Sequence, residues 1–259
     1  MEGFVDSDLP AGFDWREWVE RWDRMQNRYL VRRVERFALI VRMVRETRES
    51  LSRLLNIGCG PGSLMVSLLE SFPEAEVFGV DSEPLMLLLA RERLAEFNDR
   101  SRLVLADLRE PSWSESLPVP VDAVVSATAL HWLSPEALAA LYGQLAQILR
   151  PCGIFLNADH AGSDYAPIQT AWERHRDEMR REEGITGAED WYGFWEAYAR
   201  ALDVDIQRIR QGFAAAWEGA PEEGLPLAWH LDQLRANGFT AVDCFWRCDC
   251  DAVYGGIRR

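Results

Sequence analysis

The stretch from Arg53 to Ser63 reads RLLNIGCGPGS: an apolar run followed at once by three glycines in five positions. That order is a buried strand running into a tight turn, where the backbone approaches a neighbour or a ligand closely. Apolar residues then recur at helical spacing from Ser63 to Phe72, where Pro73 closes the segment. A strand, a glycine turn and a helix make the opening unit of a βαβ fold. The same alternation continues through residue 158. Strands are predicted over 76–80, 102–106, 121–126 and 153–158, with helices over 84–97 and 135–149. Pro135 sits near the start of the last helix and Pro151 just past its end. Such an alternation implies a mostly parallel sheet covered by helices.

The flanking segments follow another rhythm. Residues 14–49 read as helix, with a break expected near Tyr29. Trp15, Trp18, Trp22, Met25 and Tyr29 step by three and four, as do Leu30, Val34, Phe37, Val41 and Val44. After residue 163 three more helical stripes appear: Ile168, Trp172, His175 and Met179; Trp191, Trp195, Tyr198 and Leu202; and Ile206, Ile209, Phe213 and Trp217. Residues 219–226 have linker composition. A closing helix over 227–236 and two strands, 240–247 and 252–257, complete the pattern, the strands near enough for a hairpin. The chain thus divides into an N-terminal helical segment (1–50), a core (51–163 and 220–259) and a helical insertion (164–219).

Composition narrows the partners. The 259 residues are 48% hydrophobic, ample for a packed core. The formal net charge of -14 opposes a phosphate-tracking surface, so neither nucleic acid nor an anionic membrane is expected as a partner. Every basic residue is arginine; without lysine there is no lysine base or Schiff base. Five cysteines with no secretory signal or apolar run of membrane-spanning length point to a reduced, cytoplasmic protein.

Gly58, Gly60 and Gly62 read G-x-G-x-G, with the third glycine one place early for the dinucleotide fingerprint G-x-G-x-x-G. Asp81 ends the second strand, where a carboxylate can accept from two ribose hydroxyls, and Asp107 follows the third. In an open parallel sheet all three features fall at the carboxyl ends of the strands, where ligands bind.

With LLNIGCGPGS, VFGVDSEPLMLLLARERL, LVLADL, VDAVVSATALHWL and LAQILRPCGIFLN, the chain resembles the class I S-adenosylmethionine-dependent methyltransferases of small-molecule type over roughly residues 53–159. The resemblance implies a Rossmann-like, doubly wound sheet of seven strands, the last antiparallel, and S-adenosylmethionine as cofactor. It also implies roles. Gly58, Cys59 and Gly60 would form the loop at the methionine end, and Asp81 would take the ribose. Ser82, Met86, Asp107 and Leu108 would surround the adenine, and Ser126 to His131 would lie between methyl group and acceptor. Asn56 departs from the pattern, which has aspartate there. It keeps one acceptor and loses the charge, so Asn56→Asp is expected to tighten cofactor binding if that charge matters. In this fold, helices before the first strand and after the fifth commonly form a lid. Trp15, Trp18, Trp22, Tyr29, Trp172, Trp191 and Trp195 would then wall an apolar pocket, and Trp132 stands beside His131.

Methyl transfer from a sulfonium is an in-line displacement in which the protein mainly aligns the reactants; a base is needed only where the acceptor must lose a proton. His131 and His160 follow the fourth and fifth strands and are the candidate bases, with His131 equally able to pack or orient. Of these His160 is the weaker candidate, as is Asp159, and His175 and His230 read as packing residues. Cys244, Cys248 and Cys250 read as strand cysteines without a metal, and Cys59 as a loop residue, not a nucleophile. The expected activity is methylation of a small, partly aromatic or aliphatic acceptor by a monomer or homodimer. Alternatives are a carboxyl methyltransferase of the trans-aconitate or malonyl-carrier type, a catalytically silent cofactor-binding subunit and, disfavoured by the glycine spacing, a nicotinamide oxidoreductase.

Overall fold

The computed structural model describes residues 10, 12–47, 50–182, 189–216 and 224–259. Trp217 and most of the 219–226 linker lie outside them. Strands β1 (Arg53–Ile57), β2 (Glu76–Asp81), β3 (Ser101–Leu105), β4 (Val121–Ala127), β5 (Leu149–His160), β6 (Phe239–Cys248) and β7 (Asp251–Arg258) form one sheet in the order β3-β2-β1-β4-β5-β7-β6. The first five run parallel, and β7 is antiparallel to both β5 and β6. The chain reverses its direction of travel between β1 and β4, so a crevice opens beyond the carboxyl ends of those two strands.

Helices α2 (Arg33–Thr47), α3 (Ser63–Ser71) and α4 (Pro84–Arg93) cover one face of the sheet. Helices α5 (Pro135–Ile148) and α9 (Leu227–Ala236) cover the other. A third core joins α1 (Trp15–Tyr29), α7 (Trp191–Ala201) and α8 (Ile206–Ala216) to the outer side of α4. This is why residues 84–90 of α4 are apolar all round: Leu87 and Ala90 face the sheet core, while Leu85, Met86, Leu88 and Leu89 face α1 and α7. The expected break near Tyr29 falls there. Leu30 leaves the helical region with its N–H still on the Gln26 carbonyl, and Arg32 has φ 54.

Several expectations shift. The helix predicted to reach residue 97 ends at Arg93 and gives way to a 3-10 turn over Ala95–Phe97. Strand β5 starts at Leu149, directly after α5, and changes register against β4 before Ile154; Cys152 has φ 63 in between. Helix α6 (Ala166–Glu182) buries none of its residues. Its predicted stripe therefore makes no core, and Ile168 stays 43% exposed. Among the described residues, no helix is long and apolar enough to cross a membrane.

Candidate active site

The crevice at the β1/β4 reversal is a cavity of about 340 Å³, floored by the glycine loop and roofed by α1, α7 and α8. At the loop, Gly58 has φ 60 and Gly60 φ 52, in the left-handed region that favours glycine. A Cβ on Gly58 would stand 2.2 Å from that of Ala129, and one on Gly60 would point at Trp22 of the roof. The Gly60 N–H donates to Asp81 Oδ2 at 2.7 Å and the Glu83 N–H to Oδ1 at 2.9 Å. The loop and the end of β2 are thereby locked together around one carboxylate. Burial pushes that carboxyl up, against the pull of these N–H donors. Glu83, whose Oε1 accepts from the Leu85 N–H at the start of α4, is pushed up to about 7 by burial, with Asp81 adding to the effect.

Asn56 is 1% exposed. Its amide donates to the carbonyls of Val125 (3.2 Å) and Ile57 (3.3 Å), while Oδ1 has no partner and the residue lines the cavity. Two carbonyl acceptors on one side fix the NH₂ there and leave an oxygen acceptor for whatever occupies the crevice. Cys59 is buried, its thiol pushed well up by burial, as expected of a loop residue. Met86, Leu108, Ser82 and Asp107 line the same end. Asp107 also carries a load not expected from sequence: the guanidinium and the N–H of Arg109 bond it and hold its carboxyl below the usual range.

At the opposite end stand two histidines, each bound through Nδ1 to a buried carboxylate. His131 Nδ1 lies 2.7 Å from Asp159 Oδ1, and His160 Nδ1 lies 2.8 Å from Asp251 Oδ1. The two rings are 5.1 Å apart and both line the cavity. Burial alone would raise the Asp159 carboxyl; the His131 ring, His160 and its N–H outweigh that and hold it well below the usual carboxylate range. Above them Trp22, Trp132, Trp191, Trp195 and Phe213 form a continuous aromatic wall, with centroid spacings from 4.8 Å for Trp195–Phe213 to 6.4 Å for Trp22–Trp195. Tyr29 joins it, and its hydroxyl accepts from the Trp191 N–H.

A methyltransferase-domain family model matches residues 54–153. The trans-aconitate 2-methyltransferase of Azoarcus sp. is 33% identical over 112 residues, which is 43% of this chain and 40% of that protein. The one from Paracidovorax citrulli is 28% identical over 227 residues, 82% of each chain. The chain spans less than half the length of the first of these relatives. In fold it is similar to the S-adenosylmethionine-dependent methyltransferase SibL in its apo form, with TM-score 0.54 and 21% identity over 86% of this chain and 54% of that one. Residues 54–153 carry a methyltransferase domain, and the fold around them is that of S-adenosylmethionine-dependent methyltransferases. S-adenosylmethionine is the cofactor of that domain.

Four expected positions fall elsewhere. Ser126 is fully buried and donates to the Ile57 carbonyl beneath the crevice floor, because its side chain points into the sheet. Trp172 lies on α6 beneath the guanidinium of Arg247, away from the cavity. Trp18 is buried between Phe13, Phe194 and Tyr198, where it holds α1 to α7, and Trp15 does not line the cavity either. Of the two histidines expected to pack, His230 does, bonded to Tyr142 and Tyr254, and burial lowers it to about 4. His175 instead lies exposed, paired with Asp249.

Lining residues that sequence reasoning missed include Gln26, Arg33, Glu83 and Phe213. Phe213 was legible as part of a helical stripe but not as lining the cavity. Thr128, at φ 53, holds a costly conformation at the exit of β4. His131, Asp159 and His160 place three potential metal-ligand atoms within 4.8 Å, the one such group among the described residues. Asp159, however, accepts from the N–H groups of Leu130, His131 and His160 as well as from the His131 ring. That fills its lone pairs and marks it as an orienting carboxylate. Cys244, Cys248 and Cys250 are free thiols.

Proposed function

We propose that the chain transfers the methyl group of S-adenosylmethionine to the hydroxyl of a small, largely apolar acceptor, with His131 as general base. When bound, the cofactor supplies the electrophilic methyl group and the leaving sulfide. Asp81 would hold the ribose, the Asn56 Oδ1 and the loop at Gly58 and Gly60 the methionine end, and Met86 and Leu108 the adenine. The unpartnered Asn56 oxygen supports that fit, since it otherwise stands buried without a bond.

The observation that carries the reading is the His131–Asp159 pair. Asp159 is 1% exposed and its oxygens are fixed by backbone donors, so it holds the imidazole proton on Nδ1 and leaves Nε2 to accept. An acceptor hydroxyl under the aromatic wall would pass its proton to Nε2 as its oxygen attacks, and the imidazolium formed would face the Asp159 charge. A roof formed by α1, α7 and α8 would act as the lid that excludes water. We place this activity in a reduced cytoplasm, as a monomer or homodimer, without nucleic acid or membrane as partner.

The relatives named for trans-aconitate raise a second reading, methylation of a carboxylate. A carboxylate is already ionised and needs no base. The two arginines on the cavity wall are engaged as well, Arg33 by Asp23 and Arg109 by Asp107. Both facts favour the hydroxyl acceptor. The experiment is an acceptor screen that follows S-adenosylhomocysteine release with hydroxylated aromatics and with trans-aconitate. Release with the hydroxylated set supports the proposal; release with trans-aconitate alone contradicts it.

A further inference from the structure

The two histidine–carboxylate pairs look alike but carry different charge. Asp159 faces imidazoles, those of His131, His160 and His230, so the His131 pair can offset a proton arriving on the ring. Asp251 is shared. Arg36 Nη1 lies 3.5 Å from the same oxygen that holds His160, both side chains are 2% exposed, and Arg176 adds a further positive charge nearby. An imidazolium at His160 would therefore add to the two arginine charges already near that carboxylate. In a medium of low polarity that arrangement is costly. Arg36 comes from α2 and Asp251 from β7, so this device is built by segments outside the 54–153 match.

With Nδ1–H bound to Asp251, the His160 ring turns its other edge to the cavity. Among the described residues nothing bonds Nε2 of either ring. The wall thus presents two imidazole edges side by side, the His131 ring backed by Asp159 and the His160 ring by a carboxylate that Arg36 also pairs. We propose that His160 is a specificity-determining residue: its Nε2 accepts from a second donor adjacent to the nucleophilic hydroxyl, so the preferred acceptor is a planar molecule with two vicinal donors. This rests on the methyl-transfer reading above and names the acceptor class for it. A molecule with one hydroxyl leaves Nε2 unpaired when water is excluded, which costs about tenfold or more in kcat/KM. The aromatic wall supplies the flat apolar slot for the body of the molecule.

The test uses the wild-type chain with 1,2-dihydroxybenzene, 2-methoxyphenol and phenol as probes, following S-adenosylhomocysteine release. The expected result is a kcat/KM for the dihydroxy probe about tenfold or more above both others, since neither of them offers a second donor. In His160→Phe that preference falls towards one, and His160→Gln, which keeps an oxygen acceptor, restores part of it. The wild-type series stands whether or not the variants fold. Equal kcat/KM across the three probes, with product formed, overturns this inference and leaves the methyl-transfer reading standing. Product from none of them but from trans-aconitate overturns both.

Discussion

Asn56 shows what a single position can and cannot reveal from sequence. The motif made it look like a carboxylate that had lost its charge, with Asn56→Asp expected to bind the cofactor more tightly. In the structure its NH₂ is a donor to two main-chain carbonyls, at 3.2 and 3.3 Å. A carboxylate there would face two acceptors with no proton to give. Asn56→Asp should therefore lower stability by about 1–3 kcal/mol and weaken, not tighten, S-adenosylhomocysteine binding. Denaturant unfolding and calorimetry read the two effects, and tighter binding by the variant would show that the missing charge does matter. Gly58 is simpler. Its φ of 60 and the 2.2 Å approach of a Cβ to Ala129 leave no room, so Gly58→Ala should cost at least about 1 kcal/mol and most of the cofactor affinity. Such glycines were legible in the sequence because a backbone requirement is local. Ser126 and Trp172 were misplaced because the direction of a side chain depends on neighbours distant in sequence.

At the scale of elements, α4 joins the sheet to the roof, and its first turn carries a titration. Glu83 caps that turn, and its folded value near 7 lies above the ordinary value of about 4.3 for an unfolded chain. For a raised acid, the stability contribution is full below the unfolded value and is lost as pH rises through the folded one. Glu83→Gln keeps an oxygen for the Leu85 N–H and removes the titration. It should be more stable than wild type at pH 8, with the difference vanishing towards pH 4; melting temperatures at the two pH values decide it. Asp159 behaves in the opposite sense. Its folded value is depressed, so its contribution is present above about 3.9 and is lost as pH falls through the folded value. Asp159→Asn should flatten that acid limb. The strands and helices themselves were legible because apolar periodicity is a property of each segment. The end of α4 at Arg93 was missed because apolar Leu94 and Phe97 continue the pattern past the helix.

Across the whole molecule the N-terminal helices are tied to the cofactor end through one carboxylate. Asp23 of α1 accepts from Arg33 of α2 (3.0 Å), from Arg93 of α4 (2.7 Å) and from the hydroxyl of Ser63 at the start of α3 (2.9 Å). Burial would raise its carboxyl; the two arginines and Ser63 outweigh this and lower it. Asp23→Ala would leave two arginines clustered without their anion and release the roof from the glycine loop, costing about 1–3 kcal/mol. Cofactor affinity should fall with stability, and a variant that loses neither would show that roof and loop are independent. Nothing in the sequence pairs Asp23 with Ser63, because that contact exists only once the sheet has formed. The architecture, by contrast, was legible from the alternation of strands and helices.

The base assignment is tested most directly by kcat against pH for the wild type and His131→Gln, with a hydroxylated acceptor and saturating S-adenosylmethionine. The variant should bind S-adenosylhomocysteine yet turn over about 10²–10⁴ times more slowly. A variant that turns over at the wild-type rate with the same pH profile would contradict a proton transfer to His131.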